Sequence, residues 1–448
     1  MSLKKALVSG AAALALVGTA ASAIQIEKDG TGDYLISPVY ITGGNWETKI
    51  KVVNTNTTAA VIAKVIVREG TLSQELVDFP LFLTPGDVFE ARLYADESGN
   101  IHITSDDDSV IVKLDGTPGI DIDLTKNANL IKSNGESAGR NFNCVDEKKG
   151  YIEIIGLANV PEDMLKEWDS NWSAPCPYSK EILFNKTKTE EQTSLSLGAY
   201  GDVSNSDLMG QQILYRNDEN RNGRRAMFLN MLAFGDTFSE SVDGENVLGP
   251  DRNINVLKPG TRDALLSELA KTHVYVPYEG NSQYKADPFL TIFTYPYWKN
   301  AADCNSTLSY TLDENTTIFR DLSENSAYCD PVACDGNIST GNEGGELVSG
   351  PTEPGTPPPT CPTYTFKKEV EIIFFHDPET VNENGESMVD PWANKYLFSA
   401  GGYIDIDLSA ITTPAGKGLP VIPTTFYSKK VGDLYLNNHL YNQYLQEK

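Results

Sequence analysis

Histidine is scarce in this chain, and its spacing excludes one common kind of catalytic zinc site. The 448 residues contain four histidines: His102, His273, His376 and His439. No two of them are four residues apart, so the helical pair that binds zinc in metalloproteases is missing. A glycine-rich phosphate loop is missing as well. The two-carboxylate chemistry of a glycosidase stays open, because the chain has 62 aspartates and glutamates.

Basic residues and long apolar runs are also few. The 36 lysines and arginines leave a net charge of −26 at pH 7. Such an acidic surface repels phosphate backbones and anionic lipid headgroups, and it attracts divalent cations. Beyond residue 23 no run is apolar enough to span a bilayer. We therefore expect neither a nucleic acid partner nor membrane insertion.

The first 23 residues have the pattern of a secretory signal peptide. In MSLKKALVSGAAALALVGTAASA, Lys4 and Lys5 precede a run of small apolar residues that closes on Ala21-Ser22-Ala23, a small-residue cleavage site. The mature chain is predicted to be secreted and soluble, either extracellular or on the cell surface. The periplasm is the alternative compartment.

Six cysteines follow the predicted signal peptide. An even number in an exported chain favours disulfides over metal thiolates. Cys144 and Cys176 stand apart and are predicted to pair with each other. The other four permit three connectivities, which the sequence leaves open. The full set is Cys144, Cys176, Cys304, Cys329, Cys334 and Cys361.

Alternating apolar residues predict a mainly β protein. Val61, Ala63, Val65 and Val67 share one side of a strand, whereas Lys64 and Arg68 lie on the other side with Ile62 and Ile66, which predicts a sheet with one dry face. A turn is predicted at Pro85-Gly86. Further strands are predicted at residues 109–114, 151–157, 180–184, 289–297, 366–375 and 403–408. The predicted fold is an immunoglobulin-like β-sandwich scaffold with a mixed α/β insertion and a Pro/Gly-rich surface excursion.

Helices are predicted at four places, and the composition suggests how the chain is organised. One helix starts at Pro161-Glu162-Asp163, and the others cover residues 224–234, 262–271 and 434–448. The predicted order after the signal peptide is a β-sandwich core at 24–200, a mixed helical insertion at 201–285 and an aromatic strand with a Cys-rich segment at 286–334. A Pro/Gly-rich loop at 335–363 and C-terminal strands at 364–448 that return to the sandwich complete it.

Two Asp-Ile-Asp segments are the candidate metal ligands. Alternation places Asp121 and Asp123 on one side of a strand, and it does the same for Asp405 and Asp407. Two carboxylates on one side could bind one Ca²⁺, so calcium is the one candidate cofactor. The alternative is that these carboxylates protect sheet edges against aggregation.

The segment TIFTYPYWKN is the candidate ligand-binding site. Tyr295, Tyr297 and Trp298 could stack on sugars or anchor a protein partner. Trp46 and Trp392 could act in the same way. The alternative is core packing, because Phe293, Tyr295 and Tyr297 share one side of a strand.

Several motifs in a fixed order carry a family resemblance. They are N-W-x-T, V-x-N-T, S-x-x-x-x-D-F-x-x-x-L-x-P-x-D and G-Y-x-E-I-I. Their residues here are Asn45, Trp46 and Thr48; Val53, Asn54 and Thr55; Ser73, Asp78, Phe79, Leu83, Pro85 and Asp87; and residues 150–155. In these motifs the chain resembles a family of exported, uncharacterised bacterial proteins. The resemblance implies export and a surface role, and it implies no cofactor or catalytic residue.

Together these features favour a non-catalytic structural protein of the cell surface. We expect it to self-assemble into a layer or an extracellular filament by strand addition, with the new N-terminal segment IQIEKDGTGDYLISP as an edge strand. Its partners would be further copies of itself or other surface proteins. The alternatives are an exported module that binds or hydrolyses carbohydrate, and a calcium-dependent adhesin.

Overall fold

The computed structural model describes most of the N-terminal half and separate stretches of the remainder. The described residues are 26–43, 45–71, 73, 75–110, 119–127, 147–168, 207–218, 223–235, 261–280, 284–293, 310–312, 317–321, 326–327, 364–366, 370–374, 402–413, 416–431, 434–437 and 441–442. The predicted signal peptide, all six cysteines, the 180–184 strand and the 335–363 loop lie outside these residues.

Strands dominate the described residues. The first half contains β1 (Thr31–Gly32), β2 (Tyr34–Ile41), β3 (Trp46–Asn54), β4 (Ala60–Glu69), β5 (Glu75–Leu83), β6 (Val88–Ala95), β7 (Ile101–Ser105), β8 (Ile120–Asp123), α1 (Leu124–Asn127), β9 (Lys149–Val160), α2 (Glu162–Trp168), β10 (Leu208–Asp218), β11 (Gly223–Asn230) and β12 (Leu232–Phe234). The second half contains α3 (Thr261–Leu269), β13 (Ala270–Lys271), β14 (His273–Gly280), β15 (Tyr284–Phe293), β16 (Tyr310–Leu312), β17 (Thr317–Asp321), β18 (Ser326–Ala327), β19 (Tyr364–Phe366), β20 (Val370–Phe374), β21 (Gly402–Asp407), β22 (Thr412–Thr413), β23 (Gly416–Lys417), β24 (Leu419–Val431), β25 (Leu434–Asn437) and β26 (Tyr441–Asn442).

Three sheets contain most of these strands. The first sheet has the order β1-β10-β3-β6-β7-β8, with β11 also beside β10. The middle sheet has the order β12-β2-β9-β4-β5. The third sheet runs β13-β24-β15-β14-β21-β17-β18, with β20 beside β15 and with β25 and β26 beside β24. The principal pairs are antiparallel, as expected of a mainly β protein of sandwich type.

The middle sheet packs against the other two, so the described residues form three layers with two apolar cores between them. One core joins Val61 and Val65 of the middle sheet to Ile50 of the first sheet. The other core joins Ile62 of the middle sheet to Phe289 of the third sheet and to the leucines of α3. The prediction of one dry face for β4 is therefore wrong. A sheet between two others is buried on both faces, and even Lys64 is 0% exposed.

The turn predicted at Pro85-Gly86 is confirmed, and hydrogen bonds explain its shape. Gly86 has φ 72°, a left-handed conformation that glycine adopts without steric cost. The Oδ2 atom of Asp87 accepts a hydrogen bond from the backbone N–H of Thr84 at 3.1 Å. The Nδ2 atom of Asn54 donates to the Thr84 carbonyl at 3.0 Å. This turn directs β6 into the first sheet while β5 stays in the middle sheet.

The helix predictions have mixed outcomes. Helices at residues 162–168 and 261–269 are confirmed. The helix predicted at residues 224–234 is wrong, because this stretch forms β11 and β12. The C-terminal helix is also wrong where the structure describes the chain, at β25 and β26. None of the helices in the described part is long and apolar enough to cross a membrane.

The N-terminal segment lies partly at a sheet edge and partly inside a sheet. Ile26 forms a bridge with Phe234, and β1 pairs with β10. The following strand, β2, lies inside the middle sheet between β12 and β9. The expectation of an edge strand is therefore wrong for β2, because strands occupy both of its sides, whereas β1 is an end strand of the first sheet.

Candidate functional site

The structure separates the two Asp-Ile-Asp segments. Asp121 and Asp123 lie on β8 of the first sheet, whereas Asp405 and Asp407 lie on β21 of the third sheet. Each segment faces a histidine: Nδ1 of His102 is 3.5 Å from Oδ1 of Asp121, and Nε2 of His273 is 3.5 Å from Oδ1 of Asp407. Within the described residues no three acidic, histidine or cysteine side chains form a group that could hold a metal ion. Calcium binding stays a prediction.

The predicted aromatic site lies mostly beyond the described residues. Tyr295, Tyr297, Trp298 and Trp392 are all outside them. Trp46 is described and is 1% exposed. It therefore packs in the core and has no face available for a sugar.

The outer face of the first sheet carries a connected row of polar and aromatic side chains. The guanidinium of Arg92 donates from Nε to Oε2 of Glu47 at 2.6 Å, and it lies 4.4 Å from the centre of the Tyr94 ring. The Tyr94 ring stacks on His102 with centroids 5.6 Å apart. Nε2 of His102 is 3.4 Å from Oδ2 of Asp96. The row runs from Glu47 to Asp121, and its side chains come from β3, β6, β7, β8 and the loop after β6.

Lysine and apolar side chains surround this row on the same face. Lys51 Nζ is 2.8 Å from Oε2 of Glu90, and Lys49 lies over the Tyr215 ring at 5.7 Å. At one end of the face Val88, Val53 and Met209 are neighbours across β6, β3 and β10. Val88 is 45% exposed and Met209 is 39% exposed. We call this surface, formed by the outward side chains of β3, β6, β7, β10 and β11, the outer face.

The Lys51–Glu90 ion pair leads to a testable prediction for the pKa of Glu90. The pKa of Glu90 is lowered, chiefly because Lys51 hydrogen-bonds its carboxylate. We expect Lys51→Ala to raise the pKa of Glu90 toward the ordinary glutamate value in an NMR titration. Because the pKa of Glu90 is lower in the folded state, the pair stabilises the fold fully at a pH above the ordinary carboxyl pKa. This contribution is lost as the pH falls through the pKa of Glu90 in the folded protein.

Lys49→Ala is the matched control for this titration. Lys49 Nζ is 3.6 Å from the other oxygen of Glu90 and makes a smaller contribution to its pKa. We expect Lys49→Ala to shift the pKa of Glu90 less than Lys51→Ala does. An equal shift in the two variants would contradict the assignment.

Buried charges lie on the side of the middle sheet that faces the third sheet. The sequence did not predict them as a site. Lys64 Nζ forms an ion pair with Asp78, and both side chains are 1% exposed. Nearby, Arg68 Nε donates to Glu153, which also accepts a hydrogen bond from the Tyr34 hydroxyl. We call these five residues, together with Glu75, the buried polar cluster.

The buried polar cluster perturbs its own members. Burial, helped by the neighbouring Glu75, raises the pKa of Asp78 to about 8 against the lowering effect of Lys64. Nη1 of Arg68 donates to the Ser73 carbonyl at 3.0 Å. Ser73 itself has a positive φ of 53°. The cluster therefore ties β4, β5, β9 and the β4–β5 connection together.

A small cavity adjoins the cluster. It lies between the middle sheet and α3 and is lined by Tyr34, Ile36, Tyr151, Glu153, Leu265, Leu266, Leu269 and Phe293. Among the described residues of this lining, Glu153 carries the charge, and its carboxylate is already engaged by Arg68 and Tyr34. The cavity is otherwise apolar or aromatic.

Several residues of the four ordered sequence motifs belong to the buried polar cluster or contact it. Asp78 and Glu153 are members, and Ser73 contacts Arg68. Gly150 lies where a Cβ would meet the Arg68 carbonyl at 2.0 Å, so no larger residue fits without a backbone shift. A sequence signal was present: Lys64, Asp78 and Glu153 each stand between two apolar neighbours within a strand, a pattern that indicates a buried, paired charge.

The fold defines a class before any comparison: a layered, antiparallel β-sheet protein with one outward face of mixed polarity and a charged cluster in its interior. Comparison with protein-family models, with curated proteins and with solved structures found no match to this chain.

Proposed function

We propose that this protein is an exported, non-catalytic structural protein of the cell surface that self-assembles into a layer or filament. The outer face carries the contact between copies. Strand addition at the terminal strands of the first sheet extends the assembly. Among the described strands these are β1 and β8, which end the sheet order, and β11, which lies beside β10. An immunoglobulin-like arrangement of the first and middle sheets is part of the proposal and is supported by their antiparallel packing.

The observation that carries the proposal is the charge balance of the outer face. The whole chain has a net charge of −26, so two copies repel each other over most of their surfaces. On the central strands of the outer face, Lys49, Lys51 and Arg92 stand beside Glu47 and Glu90. Two like-charged molecules approach most easily through a surface whose own charges nearly cancel.

Exposed apolar side chains give the same face a source of binding energy. Val88, Met209 and Phe228 are each more than a third exposed, and all three belong to strands of the first sheet. Burying apolar area stabilises an association by roughly 25 cal/mol per Å². Grouped exposed apolar residues of this kind commonly mark an interaction surface.

Sedimentation velocity of the purified mature protein at rising concentration tests the proposal. We expect association by the wild type and weaker association by Met209→Lys and Val88→Lys, because each variant places a charge in the contact. Electron micrographs of the wild type across salt and Ca²⁺ conditions should show layers or filaments.

Tyr275→Lys is the matched control. Tyr275 is 44% exposed, yet it lies on β14 of the third sheet. This variant should associate like the wild type. A wild type that stays monomeric under every condition, or a Tyr275→Lys variant that loses association as fully as Met209→Lys, would contradict the proposal.

A further inference from the structure

Lys64 and Asp78 are held together in the interior by two neighbouring strands. Lys64 lies on β4 and Asp78 on β5, where Asp78 pairs with Ile66, two residues from Lys64. This diagonal relation places both side chains on the same side of the middle sheet, within reach of each other. Both side chains are 1% exposed and in contact.

The surroundings make the charged form of this pair costly. Ile62 and Ile66, which belong to the core between the middle and third sheets, flank Lys64 on β4. Removing two charges from water carries a large desolvation cost, which their mutual attraction offsets only in part. The same desolvation raises the pKa of Asp78 to about 8, so its carboxyl group holds a proton more tightly than usual. The interior therefore favours neutral products of these two groups.

A second carboxyl group adjoins the pair. The side chain of Glu75 lies within hydrogen-bonding distance of the Asp78 carboxyl group, and Glu75 is only half-buried. It belongs to the same strand as Asp78, three residues earlier. Glu75 is thus placed to exchange protons with the reacting groups.

We propose that Lys64 and Asp78 condense to an intramolecular amide, joining Nζ of Lys64 to Cγ of Asp78 with loss of one water. A proton first passes from the ammonium group to the carboxylate, which leaves a neutral amine and a carboxylic acid. The nitrogen lone pair attacks Cγ and forms the new C–N bond. Glu75 accepts a proton from the nitrogen and returns it to the departing hydroxyl, whose C–O bond breaks with both electrons on oxygen.

This step balances without any oxidant or co-reactant. An ammonium and a carboxylate become a neutral amide and water. Fixed contact between the two groups supplies a high effective concentration, which is the main requirement for an intramolecular condensation of this kind. The bond links β4 to β5 covalently within the middle sheet. It does not depend on the proposed self-assembly.

Peptide mapping of the purified full chain tests the bond directly. Trypsin cleaves after Lys51, Arg68 and Arg92 but not after an acylated lysine. We expect the intact chain to be lighter by one water and to yield a branched product in which residues 52–68 and residues 69–92 are joined. This product has two N-termini, at Val52 and Glu69, which distinguish it from the uncleaved linear peptide 52–92 of the same mass. Linear peptides 52–64 and 69–92 at full mass would overturn the proposal, and so would a water loss that lies within one linear peptide.

The Lys64→Arg variant is the control that distinguishes an amide bond from an ordinary ion pair. Arginine keeps the positive charge beside Asp78, but its guanidinium does not form this amide. The variant should show full mass and only linear peptides. A second variant, Glu75→Gln, should reduce the branched fraction because it removes the proton carrier. A branched product in the Lys64→Arg variant would show that another residue forms the link and would overturn the assignment.

Discussion

Replacing Glu153 with alanine is expected to cost about 3–5 kcal/mol in the free energy of unfolding, because it leaves the Arg68 charge without its carboxylate in the interior. Only 3% of the Glu153 side chain and 14% of the Arg68 side chain are exposed. The change also removes the acceptor of the Tyr34 hydroxyl. Urea unfolding, followed by tryptophan fluorescence, measures the loss.

Glu90→Ala is the matched control for this loss. Glu90 also forms an ion pair with a basic residue, but its side chain is 43% exposed and its partner Lys51 is 38% exposed. Exposed pairs of this kind contribute about 0–1 kcal/mol. A Glu153→Ala variant no less stable than Glu90→Ala would contradict the role of the buried polar cluster.

The second large effect is expected from Phe293→Ala, which tests the three-layer arrangement. Phe293 is 4% exposed and meets Tyr151 of the middle sheet edge to face, with ring centroids 5.1 Å apart. Truncating a buried phenylalanine costs about 3–5 kcal/mol, because apolar contact is lost and a cavity is left. We expect a loss of this size in urea unfolding.

Hydrogen exchange then shows which layer has loosened. Phe293→Ala should speed exchange in β15, β20 and β24 of the third sheet. The matched variant is Phe89→Ala in the other core, where Phe89 packs on Phe79 with centroids 6.0 Å apart. That variant should speed exchange in β3 and β6 instead. Identical exchange patterns for the two variants would contradict two separate cores.

The buried polar cluster was only partly predictable from the sequence. Lys64 was assigned to a polar side of β4, because alternation assumes that one side of a strand faces water. That assumption fails in the middle sheet, because each of its two faces packs against another sheet. The pairing of Lys64 with Asp78 needed the register of β4 against β5, and the pairing of Arg68 with Glu153 needed that of β4 against β9.

The residues at 224–234 show the same limit for secondary structure. Arginine, alanine, methionine and leucine favour a helix in isolation. Here the stretch instead pairs with β10 of the first sheet and with β2 of the middle sheet. The β propensity of a segment depends on the neighbours it packs against, and a single segment does not contain that information.

What the sequence determined by itself was local: strands of alternating polarity, the turn at Pro85-Gly86, the helix that starts after Pro161, and the acidic character of the surface. These follow from side-chain alternation, backbone sterics and net charge, each of which acts over a few residues or needs no geometry. The tertiary structure alone decided that β2 lies inside a sheet, that three layers stack, and that Lys64 meets Asp78. Those outcomes depend on which distant strands pair, because burial and charge pairing are properties of neighbours in space.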